Sequence, residues 1–172
     1  MALPDYIGLV KGTSVEWSTT GGKLITLTSL ANNAAREGAK SASWIDATFG
    51  LPEVIEIRFE SAVAVTATQS AEIELWIGES DSITAGNDNP GNLTGADAAV
   101  TTPDELKLQC YWAGSIVLSN GRTTNVQKQR MFYEPICEFS IPLVVNKSGQ
   151  ALHATAGNHK IIFTPYFRRV KD

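Results

Sequence analysis

The sequence predicts an all-β fold, a single-domain antiparallel β-sandwich, with a jelly roll as its specific arrangement. An extended N-terminal arm is expected over residues 1–12, the sandwich domain over 13–172, and one long loop within it. Three observations carry this. Short stretches of period two recur along the chain, clusters of Gly, Pro, Asn and Asp separate them, and nowhere does an apolar period of 3.6 run long enough for a stable helix. Some eight to ten strands of roughly five to eight residues result, a number that suits two packed sheets.

The pattern is clearest in 54–77, VIEIRFESAVAVTATQSAEIELWI. Ile55, Ile57 and Phe59 alternate with Glu56, Arg58 and Glu60, and Ile73, Leu75 and Ile77 alternate with Glu72, Glu74 and Trp76. A pleated strand sends alternate side chains to opposite faces, so the stretch reads as a hairpin with an apolar face inward and a charged face outward. Those six apolar residues are the predicted centre of the core.

The other elements follow in order. Residues 1–12 place Pro4, Gly8 and Gly12 among apolar residues, a spacing that suits an extended arm packed on its own domain or on a neighbouring subunit. Strands are expected at 14–18, at 24–28 after the Gly21-Gly22 turn, and at 41–47. The stretch 30–38, LANNAAREG, is too short and too weakly apolar for a free helix and reads as a loop with at most one helical turn. After Ile77 the composition turns to Gly, Asn, Asp, Ser and Thr over 78–105, a long exposed loop of the kind that in compact domains is functional or disordered. Strands return at 106–112 and 115–119, with a bulge or bend at Gly114, and Asn120-Gly121 is a tight-turn signal leading into 123–129. Cys137, Phe139, Ile141 and Leu143 alternate with Glu138 and Ser140, and Pro142 marks the end of that strand as an edge or bulge because it cannot donate to a ladder. NKSGQ at 146–150 is a turn, and 160–170, KIIFTPYFRRV, is the last strand, ending in a basic tail.

At 172 residues the chain can bury roughly 70% of its unfolded surface in one domain, so no staple or metal is required. A net charge of -4 argues against a general nucleic-acid binder, which meets phosphate with a surplus of Lys and Arg. Cys110 and Cys137 are the only cysteines; buried free thiols are expected, with a single disulfide as the alternative. The first residues lack the pattern of a signal peptide or a membrane span, so no membrane partner is expected.

No catalytic activity, cofactor or metal is expected from the residues present. His153 and His159 are separated by Gly157 and have no HExxH or CxxC companion. Ser115 lacks a nucleophile-elbow context, and no Gly-rich loop opens a helix for phosphate. Glu79, Asp81, Asp88 and Asp97 bring oxygen ligands to the long loop, but not at the spacing of a calcium loop, and turn-forming side chains are the simpler account. Asn92-Leu93-Thr94 matches a glycosylation sequon, which carries no weight without a secretory signal. Glu56, Glu60, Glu72 and Glu74 could in principle pair across a sheet as in a glycosidase, yet alternating Glu on a solvated face keeps a sheet soluble. Of Trp17, Trp44, Trp76 and Trp112, Trp76 shares the parity of Glu72 and Glu74 and is the best platform for a sugar or a partner. Two basic clusters, Arg122 with Lys128 and Arg130, and Arg168 and Arg169 with Lys171, stand in an otherwise acidic chain.

Three stretches in a fixed order carry a resemblance: 27–37 (LTSLANNAARE), 85–98 (AGNDNPGNLTGADA) after ELWIGES, and 143–153 (LVVNKSGQALH) followed by IIFTPY. Together they resemble a family of small virion-associated structural proteins of tailed bacteriophages and prophages, and the likeness extends over most of the chain from about Leu24 onward. The resemblance implies a capsid decoration or cement protein made in the bacterial cytoplasm and located on the capsid surface. It would bind the major capsid protein as a homo-oligomer, a trimer being the expected state. A tail or head-fibre component, or a carbohydrate-binding jelly-roll module, is the alternative. Candidate partner-binding residues are Leu3, Tyr6 and Ile7 on the arm, Trp76, Asn89 and Asn92 of the long loop, and Arg168 and Arg169 of the basic tail.

Overall fold

The computed structural model describes residues 7–65, 71–118 and 125–170. In chain order the strands are β1 (Ile7–Lys11), β2 (Val15–Ser18), β3 (Lys23–Leu24), β4 (Ala35–Glu37), β5 (Val54–Ser61), β6 (Glu72–Ser80) and β7 (Ala98–Val100). A single helical turn, α1 (Pro103–Lys107), precedes β8 (Tyr111–Val117), β9 (Gln127–Tyr133), β10 (Phe139–Lys147) and β11 (Lys160–Val170). They form two sheets. Sheet A has the order β3-β2-β11-β5-β9, with β1 also paired to β11, and sheet B has the order β7-β4-β10-β6-β8. Every pairing except β2 with β3 is antiparallel, so the fold is an all-β sandwich.

The six residues predicted as the core centre are all fully buried. They do not, however, belong to one hairpin. β5 lies in sheet A and β6 in sheet B, so Ile55, Ile57 and Phe59 face Ile73, Leu75 and Ile77 across the core from opposite layers. Alternation along each strand is the same in either arrangement; what decides is that both apolar rows need a cover, and each covers the other. Trp17, Trp44 and Phe163 complete this core, with ring centroids 4.7 to 6.4 Å apart.

The central strands β10 and β11 each contain a proline, Pro142 and Pro165, where a missing N–H would be expected to break a ladder. Pro142 was expected at an edge. Instead it sits inside a central strand, because β4 has ended by that point and the neighbour is Gly38, whose N–H donates to the Pro142 carbonyl at 2.8 Å. A Cβ on Gly38 would lie 2.9 Å from the Pro142 ring and from Trp17, so only glycine permits the approach. Pro165 repeats the arrangement in sheet A. It falls in the gap between the β1 and β2 pairings of β11, and Gly12 donates to its carbonyl at 2.8 Å.

Several predicted elements take other forms. Of the arm 1–12, β1 pairs with the end of β11 in its own domain. The strand expected at 24–28 stops at Leu24, because the Thr26 amide donates to the Asp97 carboxylate at 3.0 Å instead of to a neighbouring strand. The segment 41–47 is not a ladder strand; it runs beside the start of β10, anchored by Ser41 and Trp44 amides on the Ser140 and Glu138 carbonyls. In 106–112 the first residues are helical: Pro103 begins α1 where its lost N–H costs nothing, and Asp104 and Glu105 favour the positive end of the turn. The bulge foreseen near Gly114 is present, with a register shift opposite Leu75 and Trp76 and a Gly114 φ of 143°. The Asn120-Gly121 turn lies outside the described residues.

Candidate functional site

The long stretch between β6 and β8 is neither fully exposed nor free of structure. It contains β7 and α1, and it lies over the outward face of sheet B. Outward residues of β10, Ile141, Leu143 and Val145, pack with Ala35, Leu93 and Leu106 into a second apolar cluster, with Trp76, Val100 and Cys110 at its border. That is why every residue from Phe139 to Asn146 is buried, on both faces of the strand.

Three charged side chains from the segment 36–40 hold the loop down. Lys40 is buried, and its Nζ donates to the carbonyls of Ser82, Thr84 and Asn87 and the Ser80 hydroxyl at 2.8 to 3.0 Å. An ammonium thus occupies the position a bound cation would take among loop carbonyls. Burial pushes its pKa down, while the Asp88 carboxylate acts in the opposite sense. The buried Glu37 carboxylate accepts from the Thr94 amide, the Thr94 hydroxyl and the Gly95 amide at 2.8 to 3.1 Å. Arg36 bonds Asp97 through Nε at 2.5 Å, and Asp97 also receives the Thr26 amide and hydroxyl. Burial pushes the Asp97 carboxyl up, but those bonds and the guanidinium charge outweigh it and hold the group below the usual carboxylate range.

The remaining loop carboxylates are engaged in the same way. Glu79 accepts from the Ile136 amide at 2.9 Å, Asp81 from the Glu138 amide at 3.1 Å, and Asp88 from the Asp81 amide at 3.3 Å. Burial nevertheless keeps the Glu79 carboxyl above its ordinary range. Among the described residues no three His, Cys, Asp or Glu side chains converge on a metal-sized centre. His159 is buried with both nitrogens satisfied: Nε2 donates to the His153 carbonyl at 2.8 Å, and Nδ1 therefore accepts from the Ser61 hydroxyl at 2.9 Å. Burial lowers its pKa and keeps it neutral. Cys110 and Cys137 are free thiols, each pushed up to about 11 by burial, a range in which they are poor nucleophiles.

The predicted partner-binding residues fall in different places. Leu3 and Tyr6 lie outside the described residues, and Ile7 begins β1. Trp76 is half-buried: its Nε1 donates to Glu74 at 3.0 Å, and the Lys107 ammonium sits 5.5 Å from its ring while bonding Glu74 at 2.6 Å. Asn89 closes the loop, with Nδ2 donating to the Ala85 and Leu93 carbonyls at 2.6 and 2.8 Å. Asn92 is exposed on the loop. Arg168 and Arg169 are exposed on β11, Arg168 lying 3.5 Å from Glu53. Among the described residues these candidates do not converge on one site.

Surface depressions lie elsewhere: Thr48, Phe49, Arg168 and Arg169 border one of about 500 Å³, and two others involve the sheet faces and edges. The outward face of sheet A carries a shallow depression of about 540 Å³ lined by Lys11, Glu16, Glu56, Arg58, Arg130 and Tyr166. Its central charges are already engaged: Arg58 and Lys128 with Glu60, and Arg130 and the Tyr166 hydroxyl with Glu56, at 3.0 to 3.3 Å. Of the four glutamates expected on a solvated face, Glu56 and Glu60 are therefore half of an ion-pair ladder, with Glu60 buried in it, while Glu72 and Glu74 lie on β6 of sheet B, where Glu74 pairs with Lys107. The second surface lies where the edge strands β8 and β9 meet. Tyr111, Phe132 and Ile136 line a depression of about 490 Å³ there. Trp112, 56% exposed, is not part of that lining and stands beside Trp76 on sheet B with centroids 6.4 Å apart. Sequence reasoning missed this surface, since Tyr111 and Phe132 look like ordinary strand residues until edge position is known.

No family model matches the sequence, and no curated protein matches it.

Proposed function

We propose that this chain is a structural protein of a tailed-phage particle, a capsid decoration protein that stabilises the head by non-covalent contacts with the major capsid protein. One observation carries the reading beyond the resemblance itself. The three stretches that bear the likeness are far apart in sequence, yet they form one hydrogen-bonded unit on sheet B. Glu37 and Arg36 of the first hold Thr94, Gly95 and Asp97 of the second. Asn146 of the third donates to the Leu30 carbonyl at 2.9 Å, its own carbonyl receives the Asn33 amide at 2.7 Å, and Asn32 accepts from the Gly149 amide at 2.8 Å. The likeness thus rests on a connected structural element rather than on scattered turns. The strand order β2-β11-β5-β9 facing β4-β10-β6-β8 likewise fits the expected jelly roll.

A rigid sandwich with its loop pinned down presents fixed surfaces, and repetition over a shell converts modest contacts into avidity. The test is addition of the purified protein to undecorated heads: it should co-sediment with them and raise the temperature at which they release DNA. Heads that neither retain it nor gain heat resistance reject the proposal. A second reading, a surface carbohydrate-binding module, is favoured by the exposure of Trp112 beside Trp76. Glycan binding lost in Trp112→Ala would support it.

A further inference from the structure

β9 is the edge strand of sheet A. Among the described residues it pairs only with β5; β8 of the other sheet packs near it, with Gly114 against the Met131 side chain, but no strand is hydrogen-bonded to its other edge. From Arg130 onward exposed and buried positions alternate: Arg130, Phe132 and, just past the strand's end at Tyr133, Glu134 and Ile136 are exposed, while Met131, Tyr133 and Pro135 are buried; Lys128 and Gln129 before them are both exposed. Read in order from Arg130 the exposed row is basic, aromatic, acidic, apolar. Phe132 is 58% and Ile136 78% exposed, and with Tyr111 and Glu134 they border the same depression. Natural edge strands are usually blunted by charge on both sides of any apolar residue, and here the charges are of opposite sign.

That order is self-complementary about Phe132. Antiparallel pairing of two β9 strands across a two-fold axis at Phe132, carried one residue past Tyr133, sets Arg130 of each copy opposite Glu134 of the other and the two Phe132 rings against each other. The register is specified. Centring the pair on Arg130 would oppose two guanidinium groups, and a shift by a single residue would turn exposed side chains against buried ones. Glu134 makes no ion pair among the described residues, and the Arg130 contact with Glu56 is 3.3 Å with the Arg130 side chain 71% exposed, so both are available across an axis.

We propose that β9 is a self-association edge: two copies of this chain join their A sheets into one continuous sheet through antiparallel β9 pairing at Phe132. A three-fold arrangement cannot place this edge against itself, because contacts around such an axis are heterologous.

Sedimentation velocity of the full chain tests this. The expected mass is twice that of the 18.5 kDa chain. Glu134→Arg and Arg130→Glu should each run as monomers, and the combined swap, which restores the opposite charges in exchanged positions, should recover the dimer. Phe132→Lys, at an exposed position, should also give a monomer by opposing two ammonium groups at the axis. Its circular dichroism serves to show that the sandwich is intact. A monomeric or trimeric wild type, or a Glu134→Arg variant that keeps the dimer mass, overturns the proposal, and so does a folded double swap that stays monomeric.

Discussion

The outward faces of the two sheets differ in kind. On sheet A the outward row of β5 is Glu56, Arg58 and Glu60, paired among themselves and with Lys128 and Arg130 of β9, with no loop over it; the arginine and lysine side chains cover Glu60, which is buried. On sheet B the outward row of β10 is Ile141, Leu143 and Val145, under a loop that brings Leu93 and Leu106 as cover. A charged row needs no lid, and an apolar row cannot do without one. The long polar stretch after β6 is therefore a cover for sheet B, pinned by Arg36, Glu37 and Lys40, and its surface polarity belongs to the side that faces away.

The largest expected effect is on the cover. Lys40→Met removes a buried ammonium that bonds three loop carbonyls and a hydroxyl, and should cost about 3 kcal/mol or more in urea unfolding. An equally stable variant would show that the cage does not hold the loop. Leu143→Ala follows, at about 3 kcal/mol, since the residue is fully buried in the second cluster and the site has little freedom to collapse. Sheet A gives the contrast: Arg58→Ala, with its partner shared by Lys128, should change stability by no more than about 0.5 kcal/mol. A large loss there would make the open face as structural as the covered one.

Much of sheet A could be read from residue order alone. Ile55, Ile57 and Phe59 have one neighbour type on each face, so period two suffices to assign them. The covered sheet could not be read in this way. In β10 the period is overwritten by Val144 next to Val145, the mark of a strand buried on both faces, but the element that covers it is rich in Asn, Asp and Gly and has the composition of an exposed loop. Its anchors, Glu37 and Lys40, look like ordinary surface charges until their partners, forty or more residues away, are brought to them. The assignment of Pro142 to an edge failed for the same reason: the residue opposite, Gly38, is set by the long-range fold rather than by anything near Pro142 in sequence.

A smaller difference should appear with pH. The Asp97 pKa is held below its unfolded value, so the stability it contributes is present above about pH 4 and is lost as pH falls through the folded value. His159 is also lowered, so the unfolded chain takes up the proton first and stability begins to fall below about pH 6.5. Urea midpoints measured between pH 7 and 3 should decline in two steps, and Asp97→Asn should weaken the lower step alone. A single step unaffected by that change would leave the Arg36–Asp97 pair without a role in holding the cover.

Amide hydrogen exchange over 80–97 tests the pinned cover most directly. In the wild type the Thr94 and Gly95 amides, bonded to the buried Glu37 carboxylate, should exchange slowly, on the scale of β6 itself, and in Lys40→Met the protection of this stretch should collapse while β5 remains protected. Rapid exchange of Thr94 and Gly95 in the wild type, matching that of an unstructured loop, would contradict the account.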